Sequence, residues 1–273
     1  MLRILLTNDD GIHAPGIHAL WRIFDDWADI FVVAPDTERS ATGHGITVHQ
    51  PLRVEKLSFA NPHCHGWAVN GTPADCVKLA MEELLAEPPH IVISGINRGP
   101  NLGTDVLYSG TVSAAMEGVI YGVPSIAVSV TGWHTADYTV AAETTRLLCE
   151  KLVARGLTPD TFLNVNVPDL PRERIAGIQV TKLGSRRYQN IFDKRTDPRG
   201  RTYYWMAGEV HDVDAGEGTD ISAVNAGAIS VTPIHFDLTN YSLIQEVSDW
   251  LGGGSSPFAD RNKKDDVETK RKA

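Results

Sequence analysis

Cysteine is scarce in this chain. Cys64, Cys76 and Cys149 stand far apart, with no C-x-x-C pair among 273 positions. An odd, sparse set excludes a disulfide scaffold and reads as reduced thiols that fill small apolar spaces in a cytoplasmic protein. Long hydrophobic runs are missing too: none approaches the ~20 residues of a membrane-spanning helix. The apolar start Ile4-Leu5-Leu6 meets Asn8, Asp9 and Asp10 where a small-residue cleavage site would follow, so no signal peptide is expected. Positive charge is in deficit, with 25 Lys+Arg against 34 Asp+Glu and a net charge of −9. That balance argues against a nucleic-acid duplex or an anionic membrane as partner. An anionic ligand must then be held by local devices, such as a metal ion or a helix N-terminus. Neither G-x-x-x-x-G-K-[ST] nor a G-x-G-x-x-G after the first strand occurs. This excludes a P-loop NTPase and argues against a nicotinamide cofactor at the first turn.

What is present is an ordinary globular composition, 42% apolar and 22% charged, in a chain long enough to bury a core without staples. Short apolar runs at Arg3–Thr7, Ile30–Ala34, Ile91–Ile93 and Ile126–Val130 alternate with amphipathic stretches. Pro15 opens one of these, with Ile17, Leu20, Trp21 and Phe24 on a single face. Thr72-Pro73-Ala74-Asp75 opens another as N-cap, first-turn proline and capping acid, with Val77, Ala80, Met81, Leu84 and Leu85 as its stripe. Ser109-Gly110 opens a third, and Thr135–Ala154 reads as a long helix. Phe162–Val167 alternates as a strand, and Thr47–Val54 and Trp67–Val69 read as extra strands or a hairpin. Continuous apolar strands between amphipathic helices mean a mostly parallel α/β sheet covered on both faces. From about 178 to 232 the pattern turns to short strand-like pieces, including Thr202–Met206 and Ile229–Thr232, and is expected to form a β-rich C-terminal arm. Tyr241–Leu251 looks like a last helix. Residues 1–252 are expected to be a single domain. The 253–273 tail, where ten of the last fourteen residues are charged, is expected to be flexible and disordered.

In an open parallel sheet, ligands bind beyond the carboxyl ends of the strands. The unusual polar residues lie at such ends: Asn8, Asp9 and Asp10 after the first run; Glu38, Arg39 and Ser40 after the second; Ser94, Asn97 and Asn101 after the third. Taken singly, Asp9-Asp10 could be an Asx-turn, Ser40 and Asn97 loop residues, and Ser109 a plain helix cap. Together, oxygen-only donors suit a hard cation such as Mg²⁺ or Mn²⁺ rather than thiolate-bound zinc. The helix start at Ser109-Gly110-Thr111 is suited to an anion. A cation beside a helix N-terminus reads as phosphate chemistry.

The chain resembles the SurE family, the stationary-phase survival proteins. The resemblance rests on Leu5-Leu6-Thr7-Asn8-Asp9-Asp10-Gly11, the Arg39-Ser40-Ala41 turn, Gly71-Thr72-Pro73-Ala74-Asp75-Cys76, Ser94-Gly95-Ile96-Asn97, Tyr108-Ser109-Gly110-Thr111-Val112, Leu163-Asn164-Val165-Asn166-Val167-Pro168 and Thr232-Pro233. It implies a Rossmann-like core and an arm used to assemble a homodimer or homotetramer. It also implies a 5′-nucleotidase of broad specificity for nucleoside monophosphates, dependent on one divalent metal cation. By the same resemblance Asp9, Asp10, Ser40 and Asn97 are the metal ligands. Asn101, Ser109, Gly110 and Thr111 hold phosphate, Asp9 and Asp10 are catalytic, and His235 looks like a histidine near the catalytic edge in some relatives that could protonate the leaving group, the alternative being a satisfied loop residue after a strand. The alternative on the same residues is a catalytically silent nucleotide-binding module. His13, His18 and His44 lie near the edge with no assigned role.

Overall fold

The structure is a computed structural model and describes residues 1–59, 61–135, 137–156, 160–189 and 191–251. In chain order, β1 (Leu2–Thr7) leads through α1 (Pro15–Phe24) to β2 (Ala28–Pro35). There follow β3 (Val54–Ser58), β4 (Cys64–Val69), α2 (Pro73–Leu79), β5 (Ile91–Arg98), α3 (Gly110–Ile120), β6 (Ser125–Val130), α4 (Thr139–Arg155) and β7 (Thr161–Val167). Next come β8 (Ile178–Val180), β9 (Ser185–Gln189), β10 (Phe192–Thr196), β11 (Thr202–Met206) and β12 (Glu209–Asp214). The described chain ends with α5 (Asp220–Asn225), β13 (Ile229–His235) and α6 (Ile244–Trp250). The chain divides between Phe236 and Asp237 into two compact units, the second carrying α6 and the 3₁₀ turn before it. The expected 253–273 tail lies outside the described residues.

The central sheet has nine strands in the order β3-β4-β2-β1-β5-β6-β7-β13-β8. From β4 to β7 every neighbouring pair is parallel. The exceptions are at the flanks, where β3 runs antiparallel to β4, and β13 antiparallel to β7. Side-chain alternation along β1 divides the core. Ile4 and Leu6 join Ile17, Leu20 and Phe24 of α1 and Ala141, Ala142 and Cys149 of α4 on one face. Leu5 joins Cys76 and Val77 of α2 and Ala114 of α3 on the other. This is the expected α/β sheet with helices on both faces. All three cysteines are buried free thiols within it. Because β1 continues to β2 on one side while β5 lies on its other side, the sheet reverses its winding between β1 and β5. A crevice therefore opens there at the strand carboxyl ends.

Local chemistry sets the element bounds. At α2, Thr72 Oγ1 accepts from Asp75 N at 3.1 Å and Asp75 Oδ2 accepts from Thr72 N at 2.8 Å, a complete capping box. The stripe beyond Leu79 continues as a π-helical turn at Ala80–Leu84. The long helix starts at Thr139 rather than Thr135, with Tyr138 at its N-cap position, because Asp137 Oδ1 accepts from Thr139 N at 2.8 Å in a turn that precedes the helix. The stretch before Val54 is a loop, not a strand. Thr47 gives its N–H and hydroxyl to the Asp75 carboxylate at 2.9 and 2.6 Å, and Pro51 has no N–H for a ladder. The arm is shorter than 178–232. Ile178–Val180 and Ile229–His235 belong to the central sheet, leaving two antiparallel pairs, β9 with β12 and β10 with β11, to project with Phe192, Tyr204, Trp205 and Met206 exposed.

Phe162 of β7 is fully buried among Val112, Ala115 and Val119 of α3 and Ala127 of β6. Phe162→Ala is expected to lower unfolding stability by about 3–5 kcal/mol. A denaturant titration checks this, and a loss below about 1 kcal/mol would contradict the packing.

Candidate active site

Strand β1 ends in a turn that lets two consecutive carboxylates serve one edge. Asn8 Nδ2 donates to Gly11 O at 2.8 Å, and Gly11 has φ +98°. Asp9 turns toward α3, where its Oδ1 accepts the Thr111 hydroxyl at 2.6 Å. Asp10 turns toward the end of β5, where its Oδ2 accepts from Arg98 N at 3.0 Å. Asp9 is only 5% exposed. Burial pushes its pKa up to about 6, opposed by the Thr111 hydrogen bond and reinforced by the Asp10 charge. Burial also raises Asp10, with Arg98 opposing. A divalent cation between the two reverses both tendencies by favouring the charged forms.

The loop after β2 is fastened to this pair. Arg39 N donates to Asp9 O at 2.7 Å, and Ala41 takes a left-handed φ of 56°. Ser40 lies exposed in that turn, its hydroxyl donating to Glu38 Oε1 at 2.7 Å. His44 Nε2 lies 2.7 Å from Glu117 Oε2 of α3 and pins the same loop onto the helix. On the other side of β1, β5 carries a bulge: its register against β6 shifts between Ser94 and Asn97. Gly95 sits in the bulge at φ +135°, where a Cβ would lie 2.3 Å from Val128 O, so no side chain fits. Bulges re-aim the residues that follow. Asn97 Nδ2 donates to Gly99 O at 2.8 Å, which leaves Oδ1 as the atom available to a cation.

Helix α3 starts against Asp9. Ser109 caps it by accepting from Val112 N at 3.1 Å, and the Ser113 hydroxyl donates to Ser109 O at 2.7 Å. A Cβ at Gly110 would lie 2.9 Å from Asp9 Cβ, so glycine allows the close approach. Thr111, expected among the phosphate contacts, commits its hydroxyl and backbone to Asp9. Ser109 and Gly110 remain at the positive end of the helix. Asn101 is held from three directions: its N–H donates to Asn166 Oδ1 at 2.8 Å, its carbonyl accepts from Asn164 and Asn166 Nδ2 at 2.9 Å each, and its Nδ2 donates to Ser129 Oγ at 2.8 Å. One side-chain N–H of Asn101 is left for a ligand. Asn164 and Asn166, both fully buried, are positioning residues to which the sequence alone assigned no role in the site. Their signals were polar residues on one side of an alternating strand and their place in the Leu163–Pro168 motif.

The structure does not bring His235 to this edge. β13 runs antiparallel to β7, and His235 pairs with Thr161, the first residue of β7, while the site lies beyond the last residues of the parallel strands. His235 therefore sits at the opposite rim of the sheet.

The donors Asp9, Asp10, Ser40 and Asn97 fit a hard divalent cation by chemistry: two anionic oxygens, a hydroxyl and an amide carbonyl from three strand ends. Among the described residues, no group of three or more His, Cys, Asp or Glu side chains could hold a metal ion, so any such site relies on these neutral oxygens.

The profile of the family described as Survival protein SurE matches residues 4–190. This chain belongs to the SurE family. It is 56% identical over 248 residues to a 5′-nucleotidase SurE of Moorella thermoacetica, covering 91% of this chain and 95% of that protein. It is 53% identical over 254 residues to a 5′-nucleotidase SurE of Carboxydothermus hydrogenoformans, covering 92% and 96%. Among solved structures, the SurE protein of Aquifex aeolicus superposes with a TM-score of 0.79 at 43% identity, over 91% of this chain and 99% of that one. The SurE match spans the strand ends that carry Asp9, Asp10, Ser40, Asn97 and Ser109–Thr111.

Proposed function

We propose that this chain is a metal-dependent 5′-nucleotidase that hydrolyses the phosphate monoester of nucleoside 5′-monophosphates with broad tolerance for the base. The observation that carries this reading is Asp9. One buried carboxylate touches the start of α3 through Thr111 and stands beside Asp10, so a cation site and an anion site share a wall. Similarity to proteins named 5′-nucleotidase SurE supports the same reading.

Asp9, Asp10, Ser40 and Asn97 would hold one divalent cation, Mg²⁺ or Mn²⁺ by donor type. When bound, such an ion supplies Lewis-acid polarisation of the phosphoryl group and a more acidic water. The chain does the rest. The Gly110 N–H, the Ser109 cap and the positive end of α3 orient the phosphate. The remaining N–H of Asn101, fixed by Asn164, Asn166 and Ser129, donates to it. Arg98 N–H fixes Asp10 Oδ2, leaving Oδ1 to accept a hydrogen bond from the attacking water and align it with phosphorus. His235 takes no part.

Catalysis resides in residues 1–252, with 253–273 as a tail that turnover does not need. The exposed Phe192, Tyr204 and Trp205 of the arm meet a second copy in a homodimer or homotetramer. The enzyme works in the cytoplasm, where its thiols stay reduced. No described helix is long and apolar enough to cross a membrane.

A panel of nucleoside 5′-monophosphates, assayed for phosphate release with Mg²⁺, with Mn²⁺ and after exhaustive chelation, tests the proposal. Turnover restored by either ion and lost on chelation is expected. Full activity after chelation would overturn the metal dependence. Nucleotide binding without phosphate release would favour the silent module.

A further inference from the structure

A cleft of about 260 Å³ opens beside Asp10, lined among others by His13, Asp36, Thr37, Arg98 and Tyr138. Its walls come from the ends of β1, β2 and β5 and from the residue before α4, so it sits in the crevice between β1 and β5 and continues the metal-and-phosphate edge. Tyr138 is 6% exposed, yet its hydroxyl has no hydrogen-bond partner among the described residues. Its ring is packed away while the residue lines the open cleft, where a ligand can pair with the hydroxyl. Asp36 follows β2 directly and is fixed by its N–H to Val69 O at 2.8 Å. Its Oδ1 takes the Thr37 hydroxyl at 3.1 Å and Arg39 at 3.4 Å, while Oδ2 has no partner among the described residues.

A phenol donor and a solvent-facing carboxylate oxygen in a small cleft of mixed polarity match a ligand rich in hydroxyls. The position of Asp36 agrees. In dinucleotide-binding sheets of this winding, an acid after the second strand accepts from a ribose hydroxyl. The free Tyr138 and Asp36 oxygens supply the chemistry. The volume lies below the ~300–1,000 Å³ of ordinary small-molecule pockets and is enough for a sugar.

We propose that this cleft is the sugar subsite of the enzyme: Tyr138 Oη and Asp36 Oδ2 hydrogen-bond the ribose hydroxyls of a nucleoside 5′-monophosphate, and the base projects into solvent. The inference rests on the nucleotidase reading and explains tolerance for the base by leaving the base uncontacted. Arg98 and His13 form the rim around the sugar.

The test measures KM and kcat for adenosine 5′-monophosphate and ribose 5-phosphate, and the inhibition constant of inorganic phosphate, which has no sugar. Wild type is compared with Tyr138→Phe and Asp36→Asn. Each variant is expected to raise KM for both sugar phosphates about five- to tenfold, the worth of one hydrogen bond, and to leave phosphate inhibition within about twofold. Wild type is expected to take ribose 5-phosphate with a KM within about threefold of the nucleotide. Parallel losses for the sugar phosphates and for inorganic phosphate would show a structural role and overturn the subsite, as would unchanged KM values in both variants. A wild type that releases phosphate from no nucleotide would remove the nucleotidase reading itself, a result separate from either of these.

Discussion

Asp9→Asn is expected to lower kcat/KM for nucleoside monophosphates by about 10³-fold or more with the fold intact. Asparagine keeps the volume of the side chain and an oxygen that can accept the Thr111 hydroxyl, so the tie to α3 survives. What disappears is a negative charge at a site only 5% exposed, where burial already disfavours it. Without a cation that buried charge opposes folding, so the metal-free variant is expected to melt no lower than wild type. With a cation the order reverses. An ion at about a hundredfold excess over its Kd stabilises wild type by about 2.7 kcal/mol, and the variant loses that gain. Thermal melts with and without Mn²⁺, run beside the kinetics, check both parts. Activity within about threefold of wild type, or an undiminished Mn²⁺ shift, would end the metal reading.

Gly110→Ala is expected to lower kcat/KM about 10²-fold and to lower the melting temperature by a few degrees, because Asp9 Cβ is fixed by the end of β1. The added Cβ would lie 2.9 Å from Asp9 Cβ, 3.0 Å from Asp9 Oδ2 and 3.1 Å from Pro73 Cγ. Alanine itself favours the helix by roughly 1 kcal/mol over glycine, so the local backbone offsets part of the strain. The side chain that must yield is Asp9, and it cannot yield without leaving both the cation donors and Thr111. A displacement of that size at reacting groups costs about two orders of magnitude. Kinetics and melting on the same preparation decide. A variant that melts like wild type and keeps its activity would show that Asp9 has room to spare.

The parts of the fold with strong local chemistry were legible in the sequence. β1, β2, β5 and β6 are buried on both faces, so their runs carry few polar positions. The cap at Thr72 and the face of Ile17, Leu20 and Phe24 are set by neighbours a few residues away. What depends on distant pairing was not legible. Ile178–Val180 is too short, and Ile229–His235 too mixed, to announce that they extend the main sheet, and nothing in them reveals that β13 runs against β7. That one reversal carries His235 to the far rim. The site shows the same division. Asp9 and Asp10 stand out because adjacent acids after an apolar strand are chemically costly. Tyr138, Asn164 and Asn166 do not, because their importance lies in which buried atoms they meet or fail to meet.

A single-ion site at Asp9, Asp10, Ser40 and Asn97 is tested most directly by anomalous scattering from crystals of chelated protein soaked in Mn²⁺. One manganese bonded to oxygens of these side chains is the expected result. An absence of bound ion at that edge, with the four side chains turned apart, would contradict it.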